Sequence, residues 1–138
     1  MVLDTNAVLD RLVFANPSSL AWAEAVEAGR LTWLTCPIAA AELQHELTRR
    51  DWSRWSPDIE QALTFVSRHA RLCSDPPPLP AQRLRCTDPA DQVFLDLALM
   101  EGARWLVTHD RALLKLHRKT APRGLNVLRP QDFEALRP

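Results

Sequence analysis

The chain opens on apolar Val2-Leu3, which run straight into the polar triplet Asp4-Thr5-Asn6 before apolar residues return. Val2-Leu3 reads as the end of a short strand, and its shortness leaves open a start upstream of Met1. Apolar positions Ala7, Val8, Leu12 and Val13 predict a turn or two of helix within residues 5–14. Asn16-Pro17-Ser18-Ser19 then breaks the pattern and supplies a cap, so a second helix should run from about Pro17 to Glu27, ending before Gly29. "LTWLTC" (31–36) predicts a strand that ends at Pro37, a residue suited to the first turn of a helix over "PIAAAELQHELTRR" (37–50). On that helix Ile38, Glu42, His45, Glu46 and Arg49 share one face by three-four spacing. Ile59, Leu63 and Val66 repeat at helical spacing and predict a helix from about Pro57 to His69.

"DPPPLP" (75–80) is an extended connector within one domain that spans residues 1–138. Over "CTDPADQVFLDLALMEGA" (86–103), Asp88 is a natural N-cap, Pro89 sits at the first helical position and Gly102 lies past the last turn. "RWLVTHD" (104–110) predicts a strand ending in Asp, "DRALLKLHRK" a short helix, "LNVLRP" (125–130) a last strand and "QDFEAL" a closing turn of helix. No internal repeat appears. Strands alternating with helices predict an α/β fold, a parallel sheet covered by helices on both faces. Ligands of such sheets bind beyond the carboxyl ends of the strands.

Composition narrows the function. Lys+Arg and Asp+Glu both number 17, which argues against nucleic-acid binding by bulk charge but leaves room for a local basic rim. The three cysteines, Cys36, Cys73 and Cys86, form no CxxC pair and suit reduced thiols in a cytoplasmic protein. There is no 18-residue apolar run to span a membrane, and no secretion signal is visible at the amino terminus.

Four acids sit where such a sheet would gather them. Asp4 and Asp110 each end a strand; Glu42 lies in the second turn of the helix after Pro37; Asp91 lies in the first turn of the 89–101 helix. Each has a plain structural explanation on its own. Asp91 favours a helix dipole, Asp88 is a simple cap, Glu42 suits a solvated face and Asp110 caps the short helix after it. Together they carry more. Crowded carboxylates raise one another's pKa, and a divalent cation relieves the crowding. An all-oxygen site suits Mg²⁺ or Mn²⁺, which orient and acidify water and stabilise a phosphoryl transition state. Asn6, Thr5 and Thr108 offer neutral hydrogen bonds that orient the acids or the water. Asp10 has no partner motif and reads as a surface residue.

"VLDTNAVLD", "AAELQHEL", "DPADQVFLDLA" and "WLVTHDRALL", in that order and with an acid in each, resemble the PIN-domain family, and in particular its small bacterial VapC-like toxins. The resemblance runs on through "NVLRPQDFEAL". It implies a three-layer α/β/α sandwich with a central parallel sheet and a Mg²⁺- or Mn²⁺-dependent ribonuclease. It also implies a small antitoxin partner and a homodimer. The family's acids match Asp4, Glu42, Asp91 (with Ala98 seven residues on) and Asp110; Asp88 and Asp96 match less well. Two positions depart from the family. His109 stands where Gly is usual before the fourth acid, and Ala112 replaces a further acid two residues beyond it. The second departure leads us to expect one firmly held ion in the absence of RNA.

RNA contacts would fall to Arg11, Arg49, Arg50, Arg54, Arg111, Lys115, Arg118 and Lys119. "RRDWSRW" (49–55) interleaves arginines with Trp52 and Trp55, which suit either stacking on unpaired bases or packing in the core or a subunit contact. His45, His69 and His117 lack ligand spacing and read as surface residues. A strand-Asp phosphatase would want an acid at Asn6, and a receiver domain a Lys at the last strand end; neither is present. A non-catalytic PIN-like module that binds RNA or protein remains the main alternative.

Overall fold

The structure, a computed structural model, describes residues 1–77 and 84–135; of 134 and 135 only the backbone is described. The "DPPPLP" connector therefore lies outside the described residues beyond Pro77, as does Leu136 of the closing turn.

Five short strands form one sheet: β1 (Val2–Leu3), β2 (Trp33–Thr35), β3 (Ala70–Leu72), β4 (Trp105–Val107) and β5 (Asn126–Leu128). All pairings are parallel, in the order β3-β2-β1-β4-β5. Four of these strands match the sequence pattern. The fifth, β3, falls just past the predicted end of a helix at His69, where the pattern gave no element.

Helices connect the strands: α1 (Thr5–Leu12), α2 (Leu20–Glu27), α3 (Pro37–Arg49), α4 (Ile59–His69), α5 (Gln92–Met100), α6 (Arg111–Leu114), α7 (His117–Thr120) and α8 (Pro130–Ala135). The single helix expected over "DRALLKLHRK" is split into α6 and α7, and two helix starts also differ from the sequence reading. Pro17–Ser19 and Pro89–Asp91 are 3-10 turns rather than the first turns of α2 and α5. In both, an Asx side chain caps the turn: Asn16 accepts from Ser18 N and Asp88 from Ala90 N. An acceptor that reaches only two residues on favours this tighter winding.

Alternation along the strands separates two cores. Val2, Leu34, Leu106 and Val127 turn to one face and pack with Phe94, Leu95, Leu97 and Ala98 of α5 and Leu113 of α6. Leu3, Trp33, Val107 and Leu128 turn to the other, against Val8 of α1, Trp22 of α2, Leu43 and Leu47 of α3 and Phe133 of α8. The register confirms the layering: Val2 pairs with Leu34 and Leu106, and Leu3 with Val107. The result is the α/β/α sandwich. No helix among the described residues is long and apolar enough to cross a membrane.

The strand order fixes where a site belongs. The chain winds from β1 outward to β2 and β3, then returns to the other side of β1 for β4 and β5. That reversal opens a crevice beyond the carboxyl ends of β1 and β4, where Asp4 and Thr108-His109-Asp110 lie.

Candidate active site

Asp4 begins the site. It is 3% exposed, yet it ends an apolar strand. Its Oδ1 caps α1 by accepting from Ala7 N at 2.8 Å, and its Oδ2 accepts from the Thr108 hydroxyl. Burial raises its pKa; the Thr108 and Ala7 hydrogen bonds and the nearby His109 act in the opposite direction, and the charge of Asp110 adds to the rise. Thr108 is fully buried and does double service, accepting from Asp110 N at 2.9 Å. One threonine thus ties the ends of β1 and β4 together.

Asp110 caps α6, accepting from Ala112 N at 2.7 Å with Oδ1. Asp91 stands at the junction of its 3-10 turn and α5. One oxygen each from Asp88, Asp91 and Asp110 lie within 4.8 Å of one another. Desolvation, a shared hydrogen bond with Asp110 and the charges of Asp110, Asp88 and Asp4 push the Asp91 carboxyl up to about 8. Asp110 moves down, held chiefly by that hydrogen bond to Asp91. The opposite shifts mean that the two acids hold one proton between them. Without that proton Asp91 Oδ2 is buried with no hydrogen-bond partner among the described residues. An orphaned buried oxygen inside a ring of carboxylates is a donor set that fits a hard divalent cation.

Glu42 is placed on α3 across the crevice. Thr5 donates its hydroxyl to Glu42 Oε2 at 2.9 Å, so the middle residue of the opening triplet also serves the site. Asp4, Thr5, Asn6, Glu42, Glu46, Arg50, Asp91 and Phe94 line a cleft of about 210 Å³. All four acids singled out from the sequence therefore belong to one region, three of them lining the cleft and Asp110 joined to it through Asp91. Glu46 and Asp88 were not among them. Glu46 was legible, since it lies one turn beyond Glu42 on the same face. Asp88 reads in the sequence as a simple cap and a weaker match to the third acid; it does cap Ala90 N, and it also has an oxygen close to those of Asp91 and Asp110.

Two further expectations are corrected. Asp10 is not a surface residue: it is 8% exposed and pairs with His109 Nε2. His109 of this pair is the residue that departs from the resemblance noted above, and the pair anchors the end of β4 to α1. His117 is half-buried and accepts from Val127 N through Nδ1 at 3.2 Å, so it too is structural. A third clamp holds the approach to Asp88. Gln92 accepts from Cys86 N at 2.6 Å and donates to Leu84 O and to Asp96 Oδ1, both at 2.9 Å. Asp96 is buried and is not among the residues that line the cleft.

The basic candidates scatter. Arg50 reaches the cleft and pairs with Glu46 at 3.1 Å. Arg49, Arg54, Arg111 and Lys115 are exposed. Arg11 faces Glu27 of α2 at 3.7 Å.

A solved structure is similar to this one over most of both chains. It is a chain in the crystal structure of VapBC2 from Rickettsia felis bound to a DNA fragment from their promoter; it is 18% identical, with a TM-score of 0.58, and the match covers 91% of this chain and 95% of that one. At that identity the likeness bears on the fold. No curated protein matches the sequence. The family model described as PIN domain matches residues 1–112, which takes in β1 through β4 and every acid of the cleft, and the chain belongs to the PIN-domain family.

Proposed function

We propose that the chain is a Mg²⁺- or Mn²⁺-dependent endoribonuclease and the toxin of a toxin–antitoxin pair. The observation that carries the catalytic reading is the orphaned oxygen of Asp91 within a ring of acids at the switch point of the sheet. Asp4, Glu42, Asp91 and Asp110 would hold the cation, with Asp88 beside them. When bound, the cation acidifies water and neutralises charge on a phosphodiester.

The chain's own groups do the rest. Thr108 and the Ala7 amide hold Asp4 with both oxygens fixed. Thr5 orients Glu42 towards the cleft, with Asn6 beside it. Asp91 and Asp110 share one proton, and with that proton lost both would be free to hold the cation. Nε2 of His109 is engaged by Asp10, and the reaction proposed here calls for no histidine base, because the nucleophile is water rather than the ribose 2′-hydroxyl. Hydrolysis by water instead leaves a 5′-phosphate and a 3′-hydroxyl. Arg49, Arg50, Arg54, Arg111 and Lys115 supply the cationic rim that RNA phosphates need beside an acidic cleft.

The partners are inferred from the family resemblance and from the similar structure, which is of VapBC2 bound to a DNA fragment from their promoter. An antitoxin and a second copy of this chain are the expected partners, in the cytoplasm, with the whole chain acting as a single domain. The test is purified protein with a structured RNA and Mn²⁺. Wild type should produce 5′-phosphorylated fragments, and EDTA or Asp4→Asn should abolish them. Fragments from folded Asp4→Asn at the wild-type rate would refute this site as catalytic; stoichiometric Mn²⁺ uptake without cleavage by wild type would point to a binding module instead.

A further inference from the structure

Beside the acidic cleft lies an aromatic cluster that the chemistry does not use. Arg50 belongs to both places. It lines the cleft with Glu46, and it lines an adjoining groove of about 390 Å³ with Leu47, Thr48, Trp52 and Ser53. Trp52 is buried and donates its indole N–H to Glu46 O at 3.0 Å, which fixes it as a floor. On it stand Phe14 and Trp55, with centroids 5.7 and 6.0 Å from Trp52 and 5.0 Å from each other, all edge to face. Both are exposed, Phe14 by 38% and Trp55 by 44%.

Burying these rings would be ordinary; holding them out takes structure. The two non-glycine residues with positive φ among the described residues are Ala15 (49°) and Ser56 (44°), each next in sequence to one of the exposed rings. Left-handed backbone at such residues is strained and gathers at ligand sites. Trp52 O accepts from both Trp55 N at 2.8 Å and Ser56 N at 2.9 Å, and the Ser56 hydroxyl donates to Ser53 O at 3.0 Å. Trp55 is therefore presented on a closed turn, so little ordering entropy is lost when something binds it.

The charges say what binds. Guanidinium groups lie over the rings, Arg50 at 4.8 Å from the Trp52 centroid and Arg54 at 5.4 Å from that of Trp55. Aromatic and arginine side chains are enriched at protein interfaces as well, so composition alone does not choose; Arg50 makes this patch continuous with a cleft that would handle phosphodiesters, and rings interleaved with arginine beside such a cleft match single-stranded nucleic acid. We propose that Trp55, braced by Phe14 and flanked by Arg50 and Arg54, stacks on an unpaired base of the RNA strand beside the scissile phosphate, while the two arginines take the adjoining phosphates. The inference rests on the ribonuclease reading and assigns Trp55 to it as the residue that holds a base.

The test measures binding in EDTA, where no cutting occurs. The probes are an oligouridine of about a dozen nucleotides and a ribose-phosphate oligomer of equal length without bases. Wild type should prefer the oligouridine. Trp55→Ala should lose most of that preference through a roughly 5- to 150-fold weaker hold on the oligouridine, with little change for the base-free chain, and Trp55→Phe should keep it. Equal binding of both probes by wild type, or an unchanged preference in Trp55→Ala, overturns the proposal. So does a loss of self-association in Trp55→Ala with RNA affinity intact, which would make the patch a contact between copies. Cleavage with Mn²⁺ is scored separately. A wild type that stacks bases but never cuts supports the platform and refutes the nuclease reading; one that cuts without base preference does the reverse.

Discussion

Asp91→Asn should make the protein more stable, not less, in the absence of divalent cations. Asparagine imitates the protonated acid: it keeps a donor towards Asp110 and removes the charge that Asp88, Asp110 and Asp4 oppose. The effect must depend on pH. The Asp91 carboxyl sits at about 8 in the folded chain against an ordinary 3.8, so folding binds a proton between those values. Its contribution to stability is complete below pH 4 and is lost as pH rises through 8. Asp110 shifts the other way, and its contribution falls away only at more acid pH, below this window. At about 1.4 kcal/mol per unit the displacement sets a ceiling, and screening of a partly exposed group lowers it to on the order of 1–3 kcal/mol. At about 2 cal/mol/K of unfolding entropy per residue, that is roughly 3–10 °C in Tm. Thermal melts in EDTA at pH 5 and pH 8 read it directly. The variant's advantage should be small at pH 5 and several-fold larger at pH 8. Adding Mn²⁺ should then reverse the order, since only wild type gains the linkage term, about 2.7 kcal/mol at a hundredfold excess over Kd. A variant that melts lower than wild type at pH 8, or a difference that is flat with pH, would refute the crowded-carboxylate reasoning.

The supports of the site give three further outcomes. Thr108→Val keeps the shape but strips a donor from Asp4 and an acceptor from Asp110 N; it should lower stability by about 1–3 kcal/mol in urea titration and slow RNA cleavage roughly 10- to 100-fold. Asp10→Ala leaves His109 without its acceptor, and should speed amide exchange at Thr108 and Asp110 and lower the urea midpoint by an amount equivalent to about 1–3 kcal/mol. Gln92→Ala opens the clamp on Leu84 and Cys86, so the Cys86 amide should exchange with solvent at least about tenfold faster, the equivalent of losing one net hydrogen bond, while exchange in β1 and β4 stays as in wild type.

How much of this was legible in the sequence depended on distance along the chain. Local signals were readable. The apolar runs at Val2-Leu3, 33–35, 105–107 and 126–128 became strands, and Asp4 and Asp110 at their ends became the centre of the site. Strand β3 was not readable because it is an edge strand whose Arg71 and Leu72 are exposed, so no burial pattern marks it, and it continues from α4 without a turn signal. The Asp10–His109 pair links residues 99 apart, and nothing at either position alone points to the other. Asp88 carried a cap signature that was correct and complete in itself, which hid its second role beside Asp91. Trp52 and Trp55 split the two readings of their motif, one as floor and the other as exposed ring, because only the turn at Ser56 decides which way each faces.

That these acids form a cation site that cuts RNA is tested most directly by the cleavage rate of one preparation across a Mn²⁺ titration, with calorimetry counting the bound ion. One Mn²⁺ should fill per chain, and the rate should saturate over the same concentration range. Cleavage that persists in EDTA, or an ion that fills the site with no change in rate, would contradict the cation-site mechanism.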